Sequence, residues 1–267
     1  MLQAQAISVE VGGRLLVDSA SFTVMARDKV VIVGRNGAGK TSLFKVLGGA
    51  NEPKSGKVVR KGGFGYLPQD PKIDSALDGR SCVTHVLSGR GIDDEMTRIE
   101  KLRIAMEENP DERNVGRYVN AEEAFRTTGG YAAESEARAM AAGLGIPDAR
   151  LDQPISTLSG GERRRVELAR ILFAGSDVLC LDEPTNHLDV DAKTWLLGFL
   201  RQYKGALLVI SHDLELLDES ITRVLHLDRA TETDVGEIVE YRGTYSQYQR
   251  ARAEDEARLA KKAAMQA

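Results

Sequence analysis

The feature that most constrains the fold of this chain is the stretch Val30–Thr41, which reads VVIVGRNGAGKT. Residues 30–33 are continuously apolar, the pattern of a short strand that is buried on both faces. The glycine-rich motif GRNGAGKT follows, and a short helical segment, Ser42–Leu47, ends at two glycines. This succession of strand, glycine loop and helix predicts a phosphate-binding loop within an α/β sheet.

The residues of this loop suit it to hold the phosphates of a nucleoside triphosphate. Gly34, Gly37 and Gly39 allow the backbone to wrap closely around phosphates, so that amide N–H groups point inward. Lys40 is placed to reach the β- and γ-phosphates, and Thr41 offers a hydroxyl to Mg²⁺. A chance Gly-Lys-Thr in an ordinary turn is the weaker interpretation, because strand, loop and helix are all present. The candidate nucleotide-binding residues of the loop are Gly34, Arg35, Asn36, Gly37, Ala38, Gly39, Lys40, Thr41 and Ser42.

Length and composition narrow the class of protein. The 267 residues suit one large α/β domain or two small ones, and the net charge of −4 does not by itself indicate nucleic-acid binding. Cys82 and Cys180 are too few for a disulfide framework and indicate a reducing compartment. No apolar run is long enough to span a bilayer and no secretory signal is evident, so we expect a soluble cytoplasmic protein without membrane insertion.

Strands and helices alternate along the chain. Residues 2–24 predict a β hairpin ahead of the phosphate loop, and Lys57–Arg60 and Phe64–Leu67 predict two short strands after it. Val178–Leu181 and Ala206–Ile210 predict two further apolar strands. One helical segment precedes the first of them, and another lies between the two. The pattern predicts an α/β fold with a mostly parallel sheet, whose ligand groups gather at the carboxyl ends of the strands.

Two segments depart from this alternation. Between residues 92 and 130, apolar residues recur at helical spacing on either side of Asn109-Pro110-Asp111, which predicts a helical hairpin. Acidic residues outnumber basic ones there, so the sequence alone favours an ordinary surface hairpin and shows no RNA-binding face. Residues 245–267, rich in Ala, Arg, Glu and Lys, predict a solvated helix or linker that looks like the start of a longer segment.

Four polar residues at strand ends are candidates for the chemistry. Asp182 is placed to hold Mg²⁺, directly or through water, and Glu183 can polarise the water that attacks the γ-phosphate. Without the phosphate loop, this acidic pair would mark only the onset of a helix or turn. Gln69 could reach metal and water or be a surface glutamine, and His212 could bind the γ-phosphate and Glu183 or be structural. The other histidines lack metal-ligand spacing with the cysteines, so no zinc is expected.

Five motifs occur in the order typical of the ABC ATPases, a family of P-loop NTPases. Gly34–Thr41 resembles the Walker A loop, Gln69 the Q-loop, Leu158–Glu162 (LSGGE) the signature, Leu181–Pro184 the Walker B strand and His212 the H-loop. The resemblance implies an ATP-binding α/β core with an antiparallel β subdomain and a helical subdomain at about residues 70–175. It also implies ATP and Mg²⁺ as cofactors.

The resemblance also assigns roles. Glu183, His212 and Gln69 would be catalytic, and Thr41, Gln69 and Asp182 would hold the metal. Because such sites are composite, a nucleotide held by a second cassette, in the same full-length chain or in a homodimer, would bind Ser159, Gly160, Gly161 and Glu162. Family members often stack an aromatic residue on the adenine base, whereas this chain has Val11 at that place, so GTP could substitute for ATP.

Within this family, Leu181–Asp189 (LDEPTNHLD) resembles the ABC-F proteins. The hairpin at about residues 92–130 lies where those proteins carry an arm, and the stretch 243–248 resembles the entry to their interdomain linker. The resemblance implies an ATP-binding domain over residues 1–243, followed by a charged linker over 244–267. Known members are cytoplasmic ATPases, and many of them act on the ribosome, with rRNA and tRNA as partners, as translation factors or in protection against antibiotics. Two alternatives are an ATPase subunit of a membrane transporter and a binding module that does not hydrolyse ATP.

Overall fold

The computed structural model describes residues 1–71, 73–213, 218, 220–229, 231 and 234–266. The chain forms two compact units. The first comprises Met1–Gln69, Ser176–Asn186 and Leu197–Ala267, and the second comprises Asp70–Gly175 and His187–Leu196.

The first unit contains two sheets. Its strands are β1 (Leu2–Val11), β2 (Arg14–Val24), β3 (Lys29–Val33), β4 (Ser55–Arg60), β5 (Phe64–Leu67), β6 (Val178–Asp182), β7 (Ala206–Ile210), β8 (Arg223–Asp228) and β9 (Glu237–Arg242). One sheet is antiparallel with the order β2-β1-β4, and the other has the order β5-β6-β7-β3-β8-β9. All neighbours in the larger sheet are parallel except β8 and β9. The expected α/β fold, with a mostly parallel sheet and a separate antiparallel one, is confirmed.

Apolar strands and one helix form the core of this unit. The three strands β3, β6 and β7 are almost wholly buried, which explains why their sequences are continuously apolar. Leu43, Phe44 and Leu47 of α1 (Lys40–Gly48) belong to the same hydrophobic cluster as Val30 and Ile32 of β3. This packing fixes the helix behind the loop, so that its N-terminus faces the carboxyl end of the sheet.

The bounds of α1 have local causes. It begins two residues earlier than predicted, since Gly39 adopts a left-handed conformation and caps the helix at Lys40. At the other end, the Arg60 guanidinium donates to the carbonyl oxygens of Val46 and Leu47, each at 2.8 Å. These bonds satisfy carbonyls that have no partner within the helix.

The second unit is helical. Its helices are α2 (Cys82–Leu87), α3 (Ile92–Glu108), α4 (Glu112–Thr127), α5 (Gly130–Gly143), α6 (Asp148–Leu151) and α7 (Gly160–Phe173), and α8 (Val190–Gln202) begins in it. The predicted break in the hairpin falls between α3 and α4, where the Asp111 carboxylate accepts from the Asn114 N–H at 2.7 Å. The sequence analysis missed α2, although Ser81 is a typical N-cap and accepts from the Thr84 N–H at 3.3 Å.

A buried charged cluster joins α2 to α7. The Glu167 carboxylate contacts His85 Nε2 at 2.8 Å and accepts from Arg170 at 2.9 and 2.6 Å. Burial acts to raise the pKa of Glu167, but the hydrogen bonds from Arg170 and His85 outweigh it and lower the pKa below its ordinary value. The ionised carboxylate therefore stabilises the folded unit.

Glu167→Gln should consequently destabilise the fold at neutral pH by about 1.5–3 kcal/mol, the usual range for hydrogen bonds to a charged group. Because the folded-state pKa is lowered, the stabilisation is present above the ordinary glutamate pKa of about 4.3 and is lost as the pH falls through the folded-state value. Urea unfolding at pH 7 and pH 4 measures the difference, with the exposed Glu108→Gln as control. A loss of stability that is the same at both pH values would contradict this assignment.

The segment after β9 forms α9 (Tyr245–Gln266), which contacts β8. Arg252 of the helix contacts the Asp228 carboxylate at 3.2 Å, and the Tyr248 ring meets the His226 ring edge-on, with centroids 5.7 Å apart. The strands β8 and β9 were missed because His226 interrupts the apolar run of β8 and charged residues make up half of β9. In the described part of the chain, none of the helices combines the length and apolar character that a membrane crossing requires.

Candidate functional site

A cavity of about 430 Å³ lies within the first unit, at the carboxyl ends of the parallel strands. It is lined by Leu16, Asn36, Gly37, Gly39, Lys40, Thr41, Ser42, Gln69, Asp182, Glu183, Asn186, Ile210 and His212. The structure thus brings the phosphate loop together with the polar residues that follow three other strands. Parallel pairing explains this, because it aligns the carboxyl ends of β3, β5, β6 and β7 at one edge.

The phosphate loop is closed by its own lysine. Lys40 Nζ donates to the carbonyl oxygens of Gly34 at 2.8 Å and Arg35 at 3.0 Å. Burial lowers the pKa of Lys40, while the negative charges of Glu183 and Asp182 act in the opposite direction. The ammonium group therefore lies between the loop and the acidic pair, in a position suited to bind an anion between them.

Two glycines of the loop cannot be replaced without strain. A Cβ atom on Gly34 would lie 2.8 Å from the carbonyl oxygen of Leu227. Gly39 has a φ of +105°, and a Cβ there would lie 3.0 Å from Leu16 Cδ1. The loop therefore depends on close backbone approach at one end and on a left-handed conformation at the other.

The acidic pair lies at the carboxyl end of β6, with Asp182 as the last residue of the strand and Glu183 next to it. Asp182 is 1% exposed, and Glu183 has a φ of +49°, which is rare for a residue other than glycine. The Glu183 N–H donates to the Ile210 carbonyl at 2.8 Å, which ties this strained turn to the end of β7. The two acids are adjacent in sequence, but Asp182 has the extended backbone of the strand and Glu183 has a left-handed one.

His212 contacts the second of these acids. Its backbone N–H donates to Glu183 Oε2 at 3.2 Å, and its Nε2 lies 3.2 Å from Glu183 Oε1. Burial raises the pKa of Glu183, against the charge and hydrogen bond of His212, which lower it. A carboxylate with a raised pKa is a stronger base, so the arrangement suits proton abstraction from water.

The residues expected to hold a metal line the same cavity. Thr41, Gln69 and Asp182 offer a hydroxyl, an amide carbonyl and a carboxylate. All three supply hard oxygen atoms, which are the ligands that Mg²⁺ prefers, and magnesium is usually shared with substrate phosphates. The donor set therefore fits Mg²⁺.

The signature residues lie in the second unit, at the start of α7. Ser159 is the N-cap: its hydroxyl accepts from the Glu162 N–H at 3.3 Å, and its own N–H donates to Glu162 Oε2 at 2.9 Å. Arg150 Nε contacts the other oxygen of Glu162 at 3.1 Å. This reciprocal capping leaves Gly160 and Gly161 in the first turn of a helix, where backbone N–H groups favour anions.

Three residues that line the cavity were not candidates from the sequence: Leu16, Asn186 and Ile210. Asn186 follows the acidic pair closely, so its position next to the motif was a usable signal. Leu16 belongs to β2, and only the folded structure shows that it packs against Gly39. Val11, at the end of β1, is 49% exposed.

Comparison with known proteins agrees with this geometry. The family described as ABC transporter matches residues 17–186. The chain is 36% identical over 264 residues to the probable ATP-binding protein YheS of Haemophilus influenzae, covering 97% of this chain and 38% of that protein. It is 33% identical over 240 residues to the energy-dependent translational throttle protein EttA of the same species, covering 88% of this chain and 41% of that protein. The chain thus spans about two fifths of the length of these curated relatives.

Solved structures show the same fold. The dimeric post-hydrolysis structure of the ATP-binding cassette MJ0796, bound to ADP and Pi, aligns with a TM-score of 0.60 at 17% identity. The alignment covers 91% of this chain and 98% of that one. The shared fold therefore extends over both units described above.

Proposed function

Because this chain belongs to the ABC transporter family, and YheS and EttA among its relatives are ABC-F proteins, we propose that it is an ATP-binding and ATP-hydrolysing cassette of an ABC-F protein. The observation that carries the proposal is the shared cavity. Lys40 of the phosphate loop, Asp182 at the end of β6 and the Glu183–His212 pair all line it. A binding module that does not hydrolyse ATP would not need the buried Glu183 carboxylate and its His212 contact beside the phosphate loop.

The chain's own residues divide the work of hydrolysis. Lys40 and the loop N–H groups hold the phosphates, and Thr41, Gln69 and Asp182 hold Mg²⁺, which when bound neutralises phosphate charge. Glu183 orients the attacking water and accepts its proton, for which its buried position and raised pKa suit it. His212 fixes the Glu183 carboxylate and donates a hydrogen bond to the γ-phosphate.

A second cassette completes the site. Ser159, Gly160, Gly161 and Glu162 would bind the nucleotide of a partner cassette, as the helix start of α7 favours an anion. The dimer of MJ0796 cited above is a precedent for such pairing in this fold. Both curated relatives are more than twice as long as this chain, so their lengths leave room for two cassettes in one polypeptide.

The partner of the full-length protein is proposed from its relatives. EttA is described as a translational throttle protein, which supports a role on the ribosome in the cytoplasm. The α3–α4 hairpin would be the arm and α9 the start of the linker, so that closure of two cassettes changes how the protein contacts rRNA and tRNA. Regulation of translation and protection against ribosome-targeting antibiotics are two forms that this role can take.

Sedimentation with ribosomes tests the proposal. The full-length protein, incubated with ribosomes of its own organism, should pellet through a sucrose cushion with a non-hydrolysable ATP analogue and should stay in the supernatant with ADP. A variant in which a short loop replaces α3–α4 serves as control for the arm. If the protein instead copurifies with a membrane subunit and never pellets with ribosomes, the transporter alternative is correct.

A further inference from the structure

A buried arginine outside the recognised motifs contacts the phosphate loop. Arg229, directly after β8, is 6% exposed. Its Nη1 donates to the carbonyl oxygen of Gly37 at 3.3 Å, and its Nε donates to the carbonyl oxygen of Asp234 at 2.7 Å. The guanidinium group is charged at any physiological pH, so it brings a permanent positive charge to a loop that binds anions.

The contact acts on one peptide unit at the apex of the loop. The Gly37 carbonyl and the Ala38 N–H belong to the same planar peptide and point in opposite directions. The Ala38 N–H donates to the Arg35 carbonyl at 3.1 Å, which also accepts from Lys40 Nζ at 3.0 Å. Arg229 therefore contacts the carbonyl of this peptide. The N–H of the same peptide and Lys40 Nζ both donate to the Arg35 carbonyl.

The backbone that carries Arg229 is fixed independently of its side chain. His226 in β8 pairs with Val33 of β3, and the next residue, Leu227, brings its carbonyl oxygen against Gly34. Asp228 is held by Arg252 of α9. A substitution at position 229 should therefore remove the guanidinium contacts while β8 keeps its pairing with β3 and its contact with α9.

From this geometry we propose that Arg229 is a positioning residue for the phosphate loop. It holds the Gly37–Ala38 peptide, and with it the Arg35 carbonyl that Lys40 contacts, in one orientation, and it acts on the nucleotide through the loop rather than by direct contact. The proposal rests on the proposed function, because it concerns the same nucleotide site. It predicts that Arg229 affects the triphosphate and not the base.

Binding measurements on the chain of 267 residues test this. Competition against a fluorescent ATP analogue gives the affinity of Mg-ATP and of inorganic triphosphate, which has no base. Arg229→Met should weaken both ligands by the same factor, about ten-fold, which corresponds to about 1.4 kcal/mol. Arg229→Lys keeps the charge but loses the planar pair of donors, so its loss should be smaller, about three-fold.

Arg223→Met is the matched control. Arg223 begins the same strand and donates to Asp28 at 3.2 Å and to the backbone of Thr23, in the antiparallel sheet. The Arg223→Met variant should bind both ligands with affinities within about two-fold of the wild-type values. This change is smaller than the one expected for the loss of a charged hydrogen bond.

Three results would overturn the proposal. Arg229→Met could bind inorganic triphosphate as tightly as the wild type, or Arg223→Met could weaken binding by the same factor. If Arg229→Met does not fold, Arg229→Lys decides, and wild-type affinity for triphosphate in that variant is the third contrary result. A wild-type chain that binds neither ligand would instead refute the proposed function itself.

Discussion

Replacing Glu183 by glutamine is expected to lower the rate of phosphate release by at least about 100-fold, the usual contribution of a general base. Glutamine has the same shape and can still accept the His212 N–H bond at its carbonyl oxygen, so the turn after β6 should persist. Loss of a negative charge near the phosphates should leave ATP affinity unchanged or increase it. ATP would then accumulate unhydrolysed between two closed cassettes.

The measurement is phosphate release by the full-length protein, together with retention of labelled ATP after gel filtration. Glu237→Gln, at an exposed position in β9, is the control for a general effect of removing one negative charge. Undiminished turnover in Glu183→Gln would refute the assignment of Glu183 as the base. Loss of ATP retention along with turnover would show that the residue supports the fold of the loop instead.

Replacing Lys40 by alanine should weaken ATP binding by about 100-fold, because two charged hydrogen bonds to phosphate at about 1.4 kcal/mol each are lost. The fold itself should tolerate the change. Burial disfavours the charged form of Lys40, and its Nζ donates to carbonyls of the loop, so removing the ammonium group should cost little stability. Lys45→Ala, on the exposed face of the same helix, is the matched control.

Thermal unfolding separates the two effects. With Mg-ATP, the wild type and Lys45→Ala should gain several degrees in Tm, because a ligand that binds only the folded state stabilises it. Lys40→Ala should have a similar Tm without nucleotide and should gain almost nothing with it. An equal gain in all three proteins would mean that ATP binds without the lysine, contrary to the proposed role of the loop.

The sequence predicted the centre of this site because its signals are local. A continuous apolar run such as Val178–Leu181 can hardly be anything but a buried strand, and a phosphate loop needs only its own glycines and lysine. The acidic pair Asp182 and Glu183 was placed correctly at the strand end for the same reason.

Other features depend on contacts between distant segments. Leu16 and Arg229 contact the phosphate loop through sheet pairing, and their local sequence gives no hint of it. The left-handed backbone of Glu183 is imposed by its bond to Ile210, which no propensity predicts. By contrast, the start of α8 at Val190 is set locally, because the Asp189 carboxylate caps it by accepting from the Ala192 N–H at 2.8 Å.

The strand order β5-β6-β7-β3-β8 has a consequence for how the chain folds. Each strand in it neighbours one that is remote in sequence, so the pairing is non-local and its loop-closure entropy makes folding slow. The phosphate cavity takes residues from the ends of four of these strands and exists only when all are paired. ATP should therefore bind the native state and not a partly folded one. Its binding should slow unfolding and leave the rate of folding unchanged, because the site does not exist until the strands have paired.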